Sequence, residues 1–540
     1  MPSHTTNSTF VQLEKKTVPP VLKALSNETP FLIAFLCISF YAWLAPAVYS
    51  NYLSYVIVVW AAVLMLAKLL VHGPKFLKTS LFGIGLALAY VVTLALNLRH
   101  GHLMVQLRSL IWIGMFSIIV YGSALIREKL YHNTKALVTT FVILTFLASL
   151  VSLISYYTEW DYFMKLPDGT IALVGFFNQR LFGVYIDPNF GAMFATLSIL
   201  ASFAYYLFSK RKKVLFSIFA AVNLIVQYLF IGLSFSRTGL ILFSFSAIYI
   251  AIAYFVRARR RPKVKRNAPR LIVRVVAQTL TVALLAVLLW KPVWTKEITM
   301  QVSSIIATAF TPTKSVQTNG EEVDEDDSGK GKKKGKDKDL TQAEVEREEQ
   351  KKKAREETLR LFEQQERKDS SASSDERMAL LKESFELWRH AKLFGHGDRN
   401  LEQVALELLP DSLMARGKVP HNSFALLLVA GGLVSTLIVL AWLIYIFIVW
   451  LRALIRTRFD LKTWMMALPV FVCLASGMAL QDLFLTMSPS SLIFWFMLGA
   501  TLCYSKSVQL VGTEAAVEQP VGGQPAATDG QPPVVENTTV

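Results

Sequence analysis

Cysteine is almost missing from this chain, with three in 540 residues. Cys37, Cys473 and Cys503 all fall inside apolar stretches, with no metal-ligand spacing and no obvious disulfide pair. Each reads as a small packing residue, and no metal site is supported. Charged residues are also scarce, at 18%. No cleavable signal is evident, because residues 1–29 are polar and contain Pro19-Pro20, and the first apolar run is long enough to remain as a span. An internal repeat is lacking too, which argues against the half-to-half symmetry of many transporters.

Apolar sequence is what the chain has in abundance. It is 53% hydrophobic with a mean hydropathy of +0.42, too apolar for a soluble globular protein of this size. The apolar residues are bunched into runs near the roughly 20 residues that cross a bilayer. The expected fold is an all-α polytopic membrane protein with about twelve transmembrane helices. These are expected near 30–48, 52–71, 80–97, 108–125, 136–157, 189–208, 214–232, 237–256, 271–290, 423–450, 464–484 and 490–504. A cytoplasmic segment 1–29 would precede spans 1–9 (30–290). A large extracytoplasmic loop (291–421) would separate spans 9 and 10. Spans 10–12 (422–505) and a cytoplasmic tail (506–540) would follow.

Orientation follows from Lys and Arg in the short loops. With a cytoplasmic N-terminus, the inner loops hold Lys75 and Lys78, Arg127 and Lys129, Lys210 to Lys213, the 257–270 cluster, and Arg452, Arg456, Arg458 and Lys462. The outer loops are poorer in charge, Arg99 and Arg108 excepted. Much of the formal charge of +17 is thus a topology signal. The 257–270 cluster suits lipid headgroups and does not call for nucleic acid.

Two segments break the apolar pattern. Residues 313–372, with the run GKGKKKGKDKD from Gly329 to Asp339, are too polar to bury a core and are expected to be disordered. The Gly-, Pro-, Ala- and Thr-rich tail from about 512 to 540 reads the same way. Between the insert and the tenth span, Ser373 and Glu376 form a candidate capping box. Met378, Leu381, Phe385 and Trp388 then mark one apolar face of a helix ending near Gly395.

Four basic residues fall on the expected outer face. Arg180 lies in an ordered or re-entrant connection from Thr158 to Pro188, where it either serves a ligand or pairs with Asp187. Arg237 sits in Gly232-Leu233-Ser234-Phe235-Ser236-Arg237-Thr238-Gly239, a junction so short that the charge stays at the interface. It either faces a polar cavity or snorkels to headgroups. Arg377, in the first turn of its helix, opposes the macrodipole and has Asp375 or headgroups as its ordinary partners. His421 opens the tenth span after Pro420 and is the side chain best able to exchange a proton near neutral pH, although a structural role is open. Gly431-Gly432 farther along is expected to permit close helix contact.

These tracts resemble the bacterial O-antigen polymerase and O-antigen ligase superfamily. The resemblance rests on Arg180-Leu181-Phe182-Gly183 with Asp187-Pro188-Asn189, on Ser236-Arg237-Thr238-Gly239, on Arg377 through Trp388 to Gly395-His396-Gly397, and on Pro420-His421-Asn422 with Gly432. It covers roughly 170–440 by motif, in the family's order and sidedness, while the charged insert departs from the usual compact outer domain. What it implies is transfer of a glycan from a polyprenyl-diphosphate carrier to an acceptor hydroxyl, without cofactor, nucleotide sugar or metal, at the outer face of the bacterial cytoplasmic membrane. Arg180, Arg237 and, as a third contact, Arg377 would bind the diphosphate. His421 would take or orient the acceptor's proton, and Asp187 would orient a cation. Implied partners are the carrier-linked glycan, membrane lipids and a chain-length regulator or other glycan-assembly proteins. Polymerisation of repeat units is the favoured reaction, with ligation to a lipid, protein or cell-wall acceptor as the alternative. A lipid-linked-glycan flippase is the rival class.

Overall fold

The computed structural model describes residues 19–45, 52–73, 75–98, 103–158, 160–165, 171–177, 180–208, 214–260, 353, 357–361, 374–398, 400–481 and 483–517. The expected ninth span, most of the charged insert, and Ser373 lie outside them.

The helices run in chain order from α1 (Pro20–Leu25) and α2 (Glu28–Tyr41) through α3 (Tyr52–His72), α4 (Lys75–Lys78), α5 (Leu81–Leu96) and α6 (Leu103–Gly114). A buried π-helical turn, Met115–Val120, joins α6 to α7 (Tyr121–Ala124). The 31-residue α8 (Arg127–Tyr157) follows, about 46 Å long and well beyond the roughly 30 Å hydrocarbon core. After it come α9 (Pro188–Phe208), α10 (Val214–Ser234) and α11 (Arg237–Arg260). The last group is α12 (Ser374–His390), α13 (Leu401–Leu408), α14 (Ser423–Arg456), α15 (Leu461–Gly477) and α16 (Pro489–Val517).

Eight helices or helix pairs among the described residues are long and apolar enough to cross a membrane, and α5 and α15 are shorter apolar helices. Their interior is strongly aromatic. Tyr121 and Trp495 lie 4.6 and 5.0 Å from Trp442, and Phe40, Phe194 and Phe230 surround Tyr185 at 5.2–6.2 Å.

Four expectations are revised. The 158–188 connection is a three-stranded antiparallel sheet, β1 (Tyr162–Lys165), β2 (Ile171–Phe177) and β3 (Arg180–Gly183), so the described chain is mostly helical with one small sheet. The last helix continues to Val517, twelve residues into the expected tail. Helix α12 ends at His390, and its buried stripe is Leu380, Ser384 and Leu387, while Met378 and Phe385 are exposed. Gly432 does not simply admit a neighbouring helix. At φ 68° and ψ −173° it breaks α14, and a returning loop fills the break.

That loop is sewn in by backbone bonds. His396 and Gly397 N–H donate to the carbonyls of Val429 and Ala430, while Leu433 and Val434 N–H donate to those of Lys392 and Leu393, at 2.8–3.0 Å. Helix α5 holds the loop's other side, where Thr93 Oγ1 donates to Phe394 O (2.5 Å), Asn97 Nδ2 to Gly395 O (3.0 Å) and Tyr90 Oη to Asp398 Oδ1 (2.7 Å). The break thus frees backbone groups that the loop immediately satisfies, as buried polar groups require.

Candidate functional site

The site is assembled at the end of the bundle where β3, the start of α9, the α10–α11 junction and the start of α14 meet. The 180–189 segment is fixed from several sides. Ala45 N donates to Val184 O (2.8 Å) and Ile186 N to Trp43 O (3.2 Å), tying it to the chain after α2. Val184 N donates to Ser152 Oγ of α8 (3.0 Å). Below it, Ser149 donates to Gln227 (2.8 Å), Gln227 to Asn223 (3.0 Å) and Asn223 to Ser202 (2.8 Å). This chain of bonds locks α8, α9 and α10 together with their polar groups paired.

Arg180 begins β3 half-buried. Its Nε donates to the carbonyl of Ser234 at the end of α10 (3.1 Å), and its Cζ lies 5.3 Å from the Phe182 ring centroid. Pairing through Nε leaves the terminal edge of the guanidinium fork, which suits phosphate oxygens.

Asp187 closes the same segment and caps α9, accepting from Asn189 N (2.7 Å). Burial raises its carboxyl above the usual range, opposed by the Asn189 bond and by the charges of Arg180 and His421. Arg180 and His421, from distant parts of the sequence, therefore act on one carboxyl group.

Arg237 is exposed at the first position of α11. The preceding Ser236 Oγ donates to Asn189 Oδ1 (2.7 Å) and accepts from Gly239 N (3.0 Å), so the α11 start is pinned beside the Asp187 turn. Phe235 at the junction has φ 47°, an uncommon conformation for an aromatic residue, which lets α10 reverse into α11 within two residues.

His421 is exposed immediately before α14. Asn422 is the N-cap, its Oδ1 accepting from Phe424 N (2.9 Å) and Ala425 N (3.1 Å). Arg377 is exposed in the first turn of α12. It is tied to the group indirectly, because its neighbour Glu376 forms an ion pair with Lys418, three residues before His421.

The structure thus brings Arg180, Asp187 and His421 into one electrostatic group, sets Arg237 next to it and leaves Arg377 at its margin. Sequence reasoning passed over Asn189 and Ser236 as functional positions, although both stand inside the quoted motifs. Among the described residues no group of three or more His, Cys, Asp or Glu side chains is arranged to hold a metal ion.

Residues 222–440 match the family model described as O-antigen ligase. The match supports the O-antigen polymerase and ligase superfamily. It takes in Arg237, Arg377, His421 and the break at Gly432, while Arg180 and Asp187 lie before it. No curated protein matches the chain. The apolar helices and the family together indicate a multi-pass membrane protein with a glycan-transferring activity of the general ligase or polymerase kind.

Proposed function

We propose that this chain is a twelve-span glycosyltransferase of the bacterial cytoplasmic membrane. Its termini are cytoplasmic, and its large loop between spans 9 and 10 and its site face outward. It transfers a glycan from a polyprenyl-diphosphate carrier to an acceptor hydroxyl. The observation that carries this reading is the convergence of Arg180 and His421 on Asp187, with Arg237 one residue from the Ser236–Asn189 bond.

The chemistry follows from those groups. The acceptor oxygen forms a bond to the anomeric carbon as the bond from that carbon to the phosphate oxygen breaks. The electron pair departs on the carrier diphosphate, where Arg180 and Arg237 stabilise the growing negative charge and Arg377 adds an outer contact. His421 takes the acceptor proton. Asp187 keeps the Arg180 and His421 side chains facing one locus.

Repeat-unit polymerisation is the first reading, since a large outer loop accommodates a second carrier-linked glycan. A chain-length regulator is then an expected partner. Ligation is the second, favoured by the description of the matching family. Purified protein supplied with a lipid-diphosphate oligosaccharide is expected to transfer it, producing a ladder of lengths if it polymerises and a single addition to a non-carrier acceptor if it ligates. His421→Ala and Arg237→Ala are each expected to reduce turnover by about 100-fold or more while still folding. Full turnover in both variants refutes the assignment.

A further inference from the structure

Helix α14 is longer than a membrane needs. Its 34 residues run about 51 Å against a hydrocarbon core of roughly 30 Å, and its surface changes at the break. From Ser423 to Gly432 no residue is exposed, so protein surrounds that part of the helix. From Leu433 to Leu451 the exposed side chains are aliphatic or aromatic and carry no charge, and exposed Arg452 follows. That stretch rises about 28 Å, which matches the core. The break at Gly432 therefore stands at the edge of the hydrocarbon, and the loop that fills it lies at the same level.

An apolar patch continues from the span onto that loop and α12. Leu433 N and Val434 N donate to Lys392 O and Leu393 O, so Leu393, 59% exposed, stands beside the first lipid-facing residue of the span. Trp388 Nε1 donates to the same Lys392 O (3.0 Å), and its ring meets Phe385 edge-on with 6.5 Å between centroids. Phe385 is 45% exposed, on the side of α12 turned away from the buried stripe of Leu380, Ser384 and Leu387. Lys382 and Arg389, three positions before and four after Phe385, share its face and are exposed, as is Lys392. The acidic side chains of α12 stand off this patch. Glu376 pairs with Lys418, Glu383 accepts from Leu413 N (3.0 Å) and Met414 N (3.1 Å), and exposed Glu386 lies about 100° round the helix from Phe385.

Aromatic residues flanked by cations at the end of a span are the composition that binds between hydrocarbon and headgroups. We infer that this corner of the protein, Phe385, Trp388 and Leu393 with Lys382, Arg389 and Lys392, docks on the bilayer surface. Its apolar side chains enter the upper acyl segments and its cations meet the phosphates of anionic lipids. The bilayer then supports α12 on the side that the bundle leaves open. Lipid contact here holds whether or not the chain transfers a glycan.

The test uses the full-length protein carrying Cys37→Ala, Cys473→Ala and Cys503→Ala, reconstituted in vesicles of phosphatidylglycerol and phosphatidylethanolamine. A nitroxide is attached at Phe385→Cys or Leu393→Cys. Leu440→Cys is the lipid-facing reference, and Glu402→Cys, exposed on α13, is the reference in water. Labels at 385 and 393 are expected to collide with oxygen more readily than with a water-soluble nickel chelate, as the label at 440 does. Labels that meet the nickel chelate as freely as the one at 402, or that another part of the chain shields from both reagents, overturn the inference. A second measurement keeps the cysteines and needs no label. In native mass spectra with phosphatidylglycerol titrated in detergent, the triple variant Lys382→Gln, Arg389→Gln and Lys392→Gln is expected to lose one of the lipid molecules that wild type carries, at an unchanged melting temperature. An unchanged lipid count overturns the inference.

Discussion

Arg180 and Ser234 are joined by a 3.1 Å hydrogen bond from the guanidinium Nε to the main-chain oxygen, with the Phe182 ring against the same guanidinium. The bond fixes the plane and direction of the fork relative to the end of α10. An ammonium group cannot reproduce that arrangement, because it has no second edge to offer once one donor is spent on the carbonyl. Arg180→Lys is therefore expected to retain the fold and lose about 100-fold in kcat/KM for glycan transfer, close to the loss from Arg180→Ala. Initial rates at varied carrier-linked substrate check this, and a lysine variant with near wild-type efficiency defeats it.

Asp187 predicts a pH dependence of stability. Its carboxyl is raised by burial, so the folded state holds the proton more tightly than the unfolded chain does. The favourable contribution of the protonated form is fully present below the ordinary carboxylate range and is lost as pH rises through the folded pKa. As pH rises above the ordinary carboxylate range, the titratable carboxyl of Asp187 therefore costs the fold stability. Asp187→Asn keeps an oxygen for the Asn189 N–H and removes the titrating group. The variant is expected to melt at or above the wild-type temperature at pH 7, with the difference shrinking as the pH approaches 4, while transfer activity falls. A variant that melts below wild type by a constant margin at every pH contradicts this account.

Charged residues at span ends were legible in the sequence because an apolar chain has few of them, and the family resemblance of the surrounding tracts then singled out Arg180, Asp187, Arg237 and His421. Their partners were not, because several are backbone atoms with no letter of their own: Ser234 O for Arg180, and Leu480 O for Ser423, two residues after His421. The apolar tract Ile171–Phe177 gave no alternation to mark it as a strand. Its pairing with β1 and β3 decides its form. Gly432 read as a contact glycine because the loop that breaks the helix there returns from residues 392–397, some 35 positions away. Likewise the spacing of Met378 and Phe385 described a helix correctly, but the bundle it meets chose the stripe of Leu380 and Leu387.

At the opposite end of the bundle, Glu28 and Lys68 have side chains only 1% exposed and stand 3.6 Å apart. Lys129, at 44% exposure, reaches Glu28 at 3.3 Å, and Asn133 Nδ2 donates to it at 3.5 Å. Removing one member of a buried pair strands the other, whereas removing both lifts the desolvation penalty as well. Lys68→Met is expected to destabilise by about 3 kcal/mol. The double variant Lys68→Met with Glu28→Gln should recover most of that loss. Thermal melts in detergent measure both, and equal destabilisation by the single and double variants rules the explanation out.

The loop insertion into α14 makes the sharpest stability prediction. A Cβ on Gly432 would come 2.3 Å from Leu393 O, and one on Gly395 would come 2.5 Å from Ala430 O. Both contacts are to backbone that is itself hydrogen-bonded, so neither side can withdraw without opening the splice. Gly432 adds a conformation, φ 68° and ψ −173°, that is essentially restricted to glycine and costs another residue about 1–3 kcal/mol even without the clash. Gly432→Ala is expected to lower the melting temperature sharply. It should also reduce transfer to the fraction that remains folded, since the segment of α14 before the break begins just after His421. Gly85→Ala on α5 serves as the control, because its nearest atom is 3.9 Å away and its helical backbone favours alanine. That variant should melt at or slightly above wild type. If Gly432→Ala behaves like Gly85→Ala, the break in α14 is not required by the loop that fills it.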